Sequence, residues 1–149
     1  MSAPLRVAIV DDERPARARL RRMLEACDGV QVAGEAADVP EARALLARER
    51  PDVVFLDVQM PGESGFALLD GLAPRPVVVF VTAYDHYAVR AFEANAVDYL
   101  LKPFRRERLE EALARARRDL ARPEELSRRL AELLAALTAA GAPAPAPAA

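Results

Sequence analysis

The sequence predicts an α/β fold, a parallel sheet wound on both faces by helices, and three observations predict it. Short apolar runs alternate with helix-patterned stretches five times along the chain, the mark of successive strand–helix–strand units. The runs at 5–10, 53–56 and 77–81 are largely apolar, as strands covered on both faces must be. The runs also stop abruptly at polar groups, namely Asp11, Asp57, Thr82 and Lys102. A chain of 149 residues that is 52% hydrophobic and 30% charged suits one such soluble domain with a real core, with some length left over.

Each element has its own warrant. Leu5 to Val10 is the first strand, ended by Asp11-Asp12-Glu13. Pro15 suits the opening turn of a helix in which Ala16, Leu20, Met23 and Leu24 share one side and arginines the other. Val30 to Glu35 alternates apolar and polar, as a half-exposed strand does. Asp38 with Glu41 resembles a capping box, and Val39, Ala42, Leu45 and Leu46 give the second helix its apolar side. Val53 to Leu56 is a strand with Asp57 at its end. Gln59, Pro61 and Gly62 then turn the chain, and Ser64 is placed to cap a short helix carrying Phe66, Leu68, Leu69 and Leu72. The strand 77–81 stops at Thr82. Asp85 is placed to cap a helix with Ala88, Val89 and Phe92, which Asn95 ends. Val97 to Leu101 is the last strand, interrupted by Asp98 and followed by Lys102-Pro103. Leu109, Leu113, Ala116 and Leu120 then mark a long helix.

The strands 30–35 and 97–101 carry polar residues and fit the sheet edges. With right-handed crossovers this predicts the order 2-1-3-4-5, a flavodoxin-like (βα)5 doubly wound sheet with its switch point between strands one and three. In such a sheet ligands are met at the carboxyl ends of the strands. An acid at one strand end commonly does no more than start a loop. Here strands one, three, four and five all end in groups able to bind a metal or a phosphate, and four such endings together are not explained by loop chemistry.

Composition narrows the partners. The net charge of −2 makes no whole-chain case for binding nucleic acid or a membrane. The single cysteine, Cys27, excludes an internal disulfide and a cysteine-rich metal site, and is expected to pack against a helix neighbour in a reducing compartment. With neither a signal-peptide pattern nor an apolar run of bilayer length, the expectation is a cytoplasmic protein without membrane contact. Lys102 is the only lysine among 21 basic residues, so a compact ammonium is wanted there in a chain that otherwise uses arginine.

Asp11, Asp12 and Asp57 converging on one point repel unless a cation sits among them, and hard oxygen donors without His or Cys favour Mg²⁺. A carboxylate beside such an ion can attack phosphorus and form an aspartyl phosphate, with Lys102 and Thr82 binding the transferred oxygens.

The segments Val10-Asp11-Asp12-Glu13, Phe55 to Pro61, Thr82-Ala83 and Lys102-Pro103 resemble, in order and spacing, the receiver domain of a bacterial two-component response regulator. The resemblance spans the domain at 4–121. Phe80 to Val89 and Asp98 to Phe104 are similar to the LytR/AlgR type, whose output is a LytTR DNA-binding domain. The resemblance implies that Asp57 is the phosphoacceptor and that Asp12, Asp57 and the Gln59 backbone carbonyl hold Mg²⁺, with Asp11 binding through water. It also implies that Thr82 and Lys102 bind the phosphoryl group, that Tyr99 is the aromatic switch answering to Thr82, and that Lys102–Pro103 is cis. The partner is then a sensor histidine kinase, contacted through Arg14 and the first helix. Phosphorylation would reshape the surface of helix four, strand five and helix five and favour a homodimer. On this reading the chain is no enzyme for outside substrates and catalyses only its own phosphorylation and dephosphorylation.

Other readings are weaker. A phosphohydrolase with an aspartyl nucleophile usually needs a second acid two residues on, where this chain has Gln59. A flavin or nucleotide module needs a glycine-rich loop after strand one, where acids stand instead. His86 reads as a solvated residue. Tyr84 and Tyr87 fit an interface or half-buried packing equally, and the arginines of 17–22 and 105–118 read as exposed helix faces. Past Pro123, Leu126, Leu130, Leu133 and Leu137 form a coiled-coil-like stripe, a helix at 123–140 that either meets a dimer partner or folds back. Residues 141–149 are a Pro/Ala linker. DNA contact is therefore expected only through an output domain not present in this chain, the alternative being a stand-alone receiver.

Overall fold

The computed structural model describes residues 3–121. It contains a five-stranded parallel sheet in the order β2-β1-β3-β4-β5, made of β1 Leu5–Val10, β2 Val30–Ala36, β3 Val53–Leu56, β4 Val77–Thr82 and β5 Asp98–Leu101. The helices are α1 Arg14–Glu25, α2 Val39–Glu49, α3 Gly65–Leu68, α4 Ala88–Glu93 and α5 Arg106–Leu120, with a 3-10 turn at Asp85–Tyr87 leading into α4. The expected topology and edge strands are both present. The expected helix at 123–140 and linker at 141–149 lie outside the described residues.

Side chains alternate across a strand, so each apolar run feeds two cores at once. Ala8, Val10, Val54, Leu56, Val78 and Phe80 face α2 and α3, where Val39, Leu45, Phe66 and Leu68 meet them. Val7, Ile9, Val53, Phe55, Val79, Val81 and Leu100 face the other way onto Leu20 and Leu24 of α1 and Leu109, Leu113 and Ala116 of α5. Fully burying one side chain of this size is worth about 1.5–3 kcal/mol, which is why a strand with two apolar faces is driven to the sheet centre.

Register brings the strand ends level. Val10 lies beside Leu56, Leu56 beside Phe80 and Thr82 beside Leu101. The ladder runs one step further, with the Asp57 amide donating to the Val10 carbonyl at 2.9 Å and the Lys102 amide to the Thr82 carbonyl at 2.8 Å.

Local signals fared unevenly. Asp38 caps α2 as expected, accepting the Glu41 N–H at 2.8 Å. Asn95 takes the left-handed backbone expected of a helix terminator, at φ 61°. Ser64 stands before α3 but its side chain makes no capping bond; the Ala67 N–H, which a cap there would serve, donates instead to the Ser64 backbone carbonyl at 3.0 Å. That helix is also shorter than expected, and Leu69 and Leu72 pack against the core from the turn that follows it. Asp85 is not a cap; it lies within the 3-10 turn that precedes α4. Asp98, read as a polar interruption of an edge strand, is buried at 8% exposure. Among the described residues no helix is long and apolar enough to cross a membrane.

Candidate functional site

At the carboxyl end of the sheet, β1 delivers Asp11 and Asp12, β3 delivers Asp57 and β5 delivers Lys102. Oxygens of the three carboxylates lie within 4.8 Å of one another. The Lys102 ammonium bridges two of them, donating to Asp11 Oδ2 at 2.6 Å and to Asp57 Oδ2 at 3.1 Å. The remaining oxygens are fixed by backbone: Glu13 N–H donates to Asp11 Oδ1 at 2.9 Å and Gln59 N–H to Asp57 Oδ1 at 3.1 Å. Arg17 of α1 anchors the same loop through the Asp11 carbonyl at 2.7 Å. Asp12 is half-buried, and among the described residues no donor engages its carboxylate. Of the residues expected from sequence at this rim, Asp11, Asp12, Asp57 and Lys102 come together.

The electrostatics of the site are those of an acidic cluster with one cationic partner. Burial pushes the Asp57 carboxyl above its usual range, and the nearby Asp11 adds to this while Lys102 and the Gln59 N–H oppose it. Burial on its own would lower the Lys102 ammonium, yet its bonds to Asp11 and Asp57 carry it above the ordinary lysine value. Three carboxylates against one ammonium, which reaches two of them, leave an acidic pocket. All its donors are oxygen, and that set fits Mg²⁺, which tolerates a few carboxylates and keeps its other positions for water.

Thr82, wholly buried at the end of β4, accepts a long 3.4 Å bond from the Tyr84 N–H. Tyr99 packs against the core on the α4 side, and its hydroxyl donates to the Tyr84 carbonyl. The loop Thr82–Tyr84 therefore touches both residues expected to form the switch. Tyr84 is exposed, at 43%, as is His86 beside it, while Tyr87 is half-buried against Phe66 with ring centroids 6.1 Å apart. The expected cis bond at Lys102–Pro103 is present, and Ala73–Pro74 is cis as well. Cys27 is buried just past the end of α1, its thiol donating to the Met23 carbonyl at 3.3 Å.

Two features escaped the sequence reading. Gly65 packs so tightly under the site that a Cβ there would lie 2.2 Å from the Asp57 carbonyl oxygen. Arg108 and Arg115 of α5, read as part of an exposed face, both pair with the buried Asp98, at 2.6 Å and 3.1 Å. Beside Lys102, an apolar cavity of about 340 Å³ opens between α1 and the β5–α5 junction, lined by Ala16, Leu20, Met23, Val81 and Phe104.

Comparison with known proteins agrees with this geometry. Residues 7–114 match the family model of the response regulator receiver domain. The chain is 52% identical over 118 residues to an uncharacterised response regulatory protein of Yersinia pestis, covering 78% of this chain and 50% of that protein. It is 48% identical over 117 residues to the transcriptional regulatory protein BtsR of Salmonella typhi, with 77% and 49% covered. Against the sensory transduction protein LytT of Bacillus cereus it is 44% identical over 118 residues, with 77% and 48% covered. Among solved structures, the receiver domain of AraT from Geobacillus stearothermophilus superposes with a TM-score of 0.70 at 33% identity, covering 80% of this chain and 98% of that one. The chain belongs to the response regulator receiver family, as a receiver domain of a two-component response regulator. Within that family it resembles the LytTR-type regulators, and it spans about half the length of the curated relatives it matches.

Proposed function

We propose that this receiver takes a phosphoryl group from a sensor histidine kinase onto Asp57 and uses the resulting charge to switch the α4–β5–α5 surface. The observation that carries the reading is the Lys102 ammonium spanning Asp11 and Asp57 within a cluster of three carboxylates. Asp12, Asp57 and the Gln59 backbone carbonyl would hold Mg²⁺, and Asp11 would contribute to it through water. When bound, the ion neutralises the incoming phosphoryl group and orients it. An Asp57 carboxylate oxygen forms the new O–P bond as the N–P bond of the kinase phosphohistidine breaks and its electron pair returns to the imidazole. Lys102, already poised between two acids, pairs with the transferred oxygens, and the Thr82 hydroxyl donates to them. The chain acts on no outside substrate and catalyses only its own phosphorylation and hydrolysis. The apolar cavity between α1 and the β5–α5 junction, next to Lys102, supports kinase docking along α1, the helix that Arg14 opens.

Drawing Thr82 toward the phosphoryl group pulls on the loop that holds the Tyr99 hydroxyl, so the ring can repack and the surface changes shape. That surface forms a homodimer contact in the phosphorylated state. In the whole regulator the output is a LytTR DNA-binding domain, as the likeness to LytT and BtsR supports. Acetyl phosphate with Mg²⁺ should label the chain once, and chelation of the metal should stop it. Turnover of assorted phosphate esters without a lasting label would replace this reading with a hydrolase. Light scattering with and without beryllofluoride tests the dimer, and a unit mass that does not change would remove it.

A further inference from the structure

Strand β5 has two faces with different tasks. Tyr99 packs on the α4 side, while Leu100 packs on the α1–α5 side. Asp98 joins α5 through a fork: Arg108 donates to both of its oxygens, at 2.8 Å and 2.6 Å, and Arg115 reaches Oδ1 at 3.1 Å. The same groups grip the backbone of the next residue. The Tyr99 N–H donates to Asp98 Oδ1 at 2.8 Å, and Arg108 Nη2 reaches the Tyr99 carbonyl at 3.3 Å. We infer that Asp98, Arg108 and Arg115 form a clamp that makes the Tyr99 backbone and α5 one mechanical body, so that movement of Tyr99 on phosphorylation is carried into α5. Asp98 is then a positioning residue for the switch, and this inference rests on the switch proposed above.

Three physical points support a clamp over an incidental surface pair. The Asp98 side chain is only 5% exposed, so its charge has no water to fall back on if an arginine lets go. A bidentate guanidinium fixes orientation as well as distance, which a single contact would not. The arginines are seven residues apart, two turns along one side of α5, so the carboxylate sets the rotation of that helix about its axis. Glu111 also touches Arg108, at 3.6 Å, but from an exposed position where screening leaves it a minor competitor.

The test uses the full chain, labelled with ¹⁵N and titrated with beryllofluoride and Mg²⁺. In the wild type, amide shifts are expected around Asp57 and Thr82, at Tyr99, and along 108–116. In Asp98→Asn the shifts around Asp57 and Thr82 should persist while those along 108–116 are lost. A folded Asp98→Asn chain with undiminished α5 shifts would overturn the clamp, since a merely stabilising pair lowers the melting temperature without cutting that response. Should Asp98→Asn not fold, Arg108→Lys and Arg115→Ala serve instead: a graded loss along α5 supports the clamp, and an unchanged response defeats it. A wild-type chain with no shifts around Asp57 and Thr82 removes the underlying switch and the clamp together, whereas their presence confines any failure to the clamp.

Discussion

Two buried carboxylates in one sheet, Asp57 and Asp98, are treated in opposite ways. Asp57 is 6% exposed and shares one ammonium with Asp11, and burial leaves its carboxyl above the usual range. Asp98 is 8% exposed; burial would raise it too, but the Arg108 fork, the Tyr99 N–H and Arg115 together take it below. One acid is under-compensated and the other is fully answered. The difference separates an acidic cluster left short of positive charge from a joint that holds two elements together, and depth of burial does not distinguish them.

The sharpest way to test that contrast is labelling with acetyl phosphate. Asp57→Asn should abolish incorporation, while Asp98→Asn should still be labelled, measured by intact mass. Loss of labelling in both would erase the distinction. Stability should then split the two acids by sign. Arg108→Ala leaves a buried carboxylate with only the Tyr99 N–H and the half-exposed Arg115, and is expected to cost about 2 kcal/mol by urea denaturation. Asp57→Asn, without Mg²⁺, should instead raise the denaturation midpoint, because it removes a charge whose burial its neighbours do not offset. Added Mg²⁺ should narrow that gap by stabilising only the wild type.

The pH dependence follows from the same directions. Asp98 has a lowered folded pKa, so its stabilisation is complete above the ordinary aspartate value of about 3.9 and is lost as the pH falls through the folded value. Asp57 has a raised folded pKa, so its ionised form costs stability near neutrality, and that cost disappears as the pH falls through the folded value. Thermal melts in EDTA should therefore show the advantage of Asp57→Asn shrinking on mild acidification, while the deficit of Asp98→Asn holds until more acid conditions. The smallest effect is expected for Arg115→Ala, within about 1 kcal/mol, since that side chain is 48% exposed and Arg108 remains.

The rim was legible in the sequence because it is a property of strand ends. Apolar runs fix the strands, parallel pairing levels them, and the residue after each run is then at the site whatever the helices do. Asp57, Asp11, Asp12, Thr82 and Lys102 all follow from that. Asp98 was misjudged because a charge within an edge strand reads as exposure, and its partners are ten and seventeen residues away. A signal was present even so: Arg108 and Arg115 each directly precede a core position of α5, Leu109 and Ala116, which puts both arginines at the border of the buried stripe. Ser64 and Asp85 failed as caps for another reason. Capping residues are recognised by type, but whether the amide they would serve is vacant depends on the folded backbone, and the Ala67 N–H that Ser64 would serve already donates to the Ser64 carbonyl.

Gly65 has no group that could bind metal, phosphate or partner, yet it tolerates substitution less than its polar neighbours should. Even a methyl group there would have to displace the main chain of Asp57. A mutational survey confined to chemically active side chains would pass over it. Among variants that abolish signalling while every polar residue of the rim is intact, position 65 is the first codon to inspect.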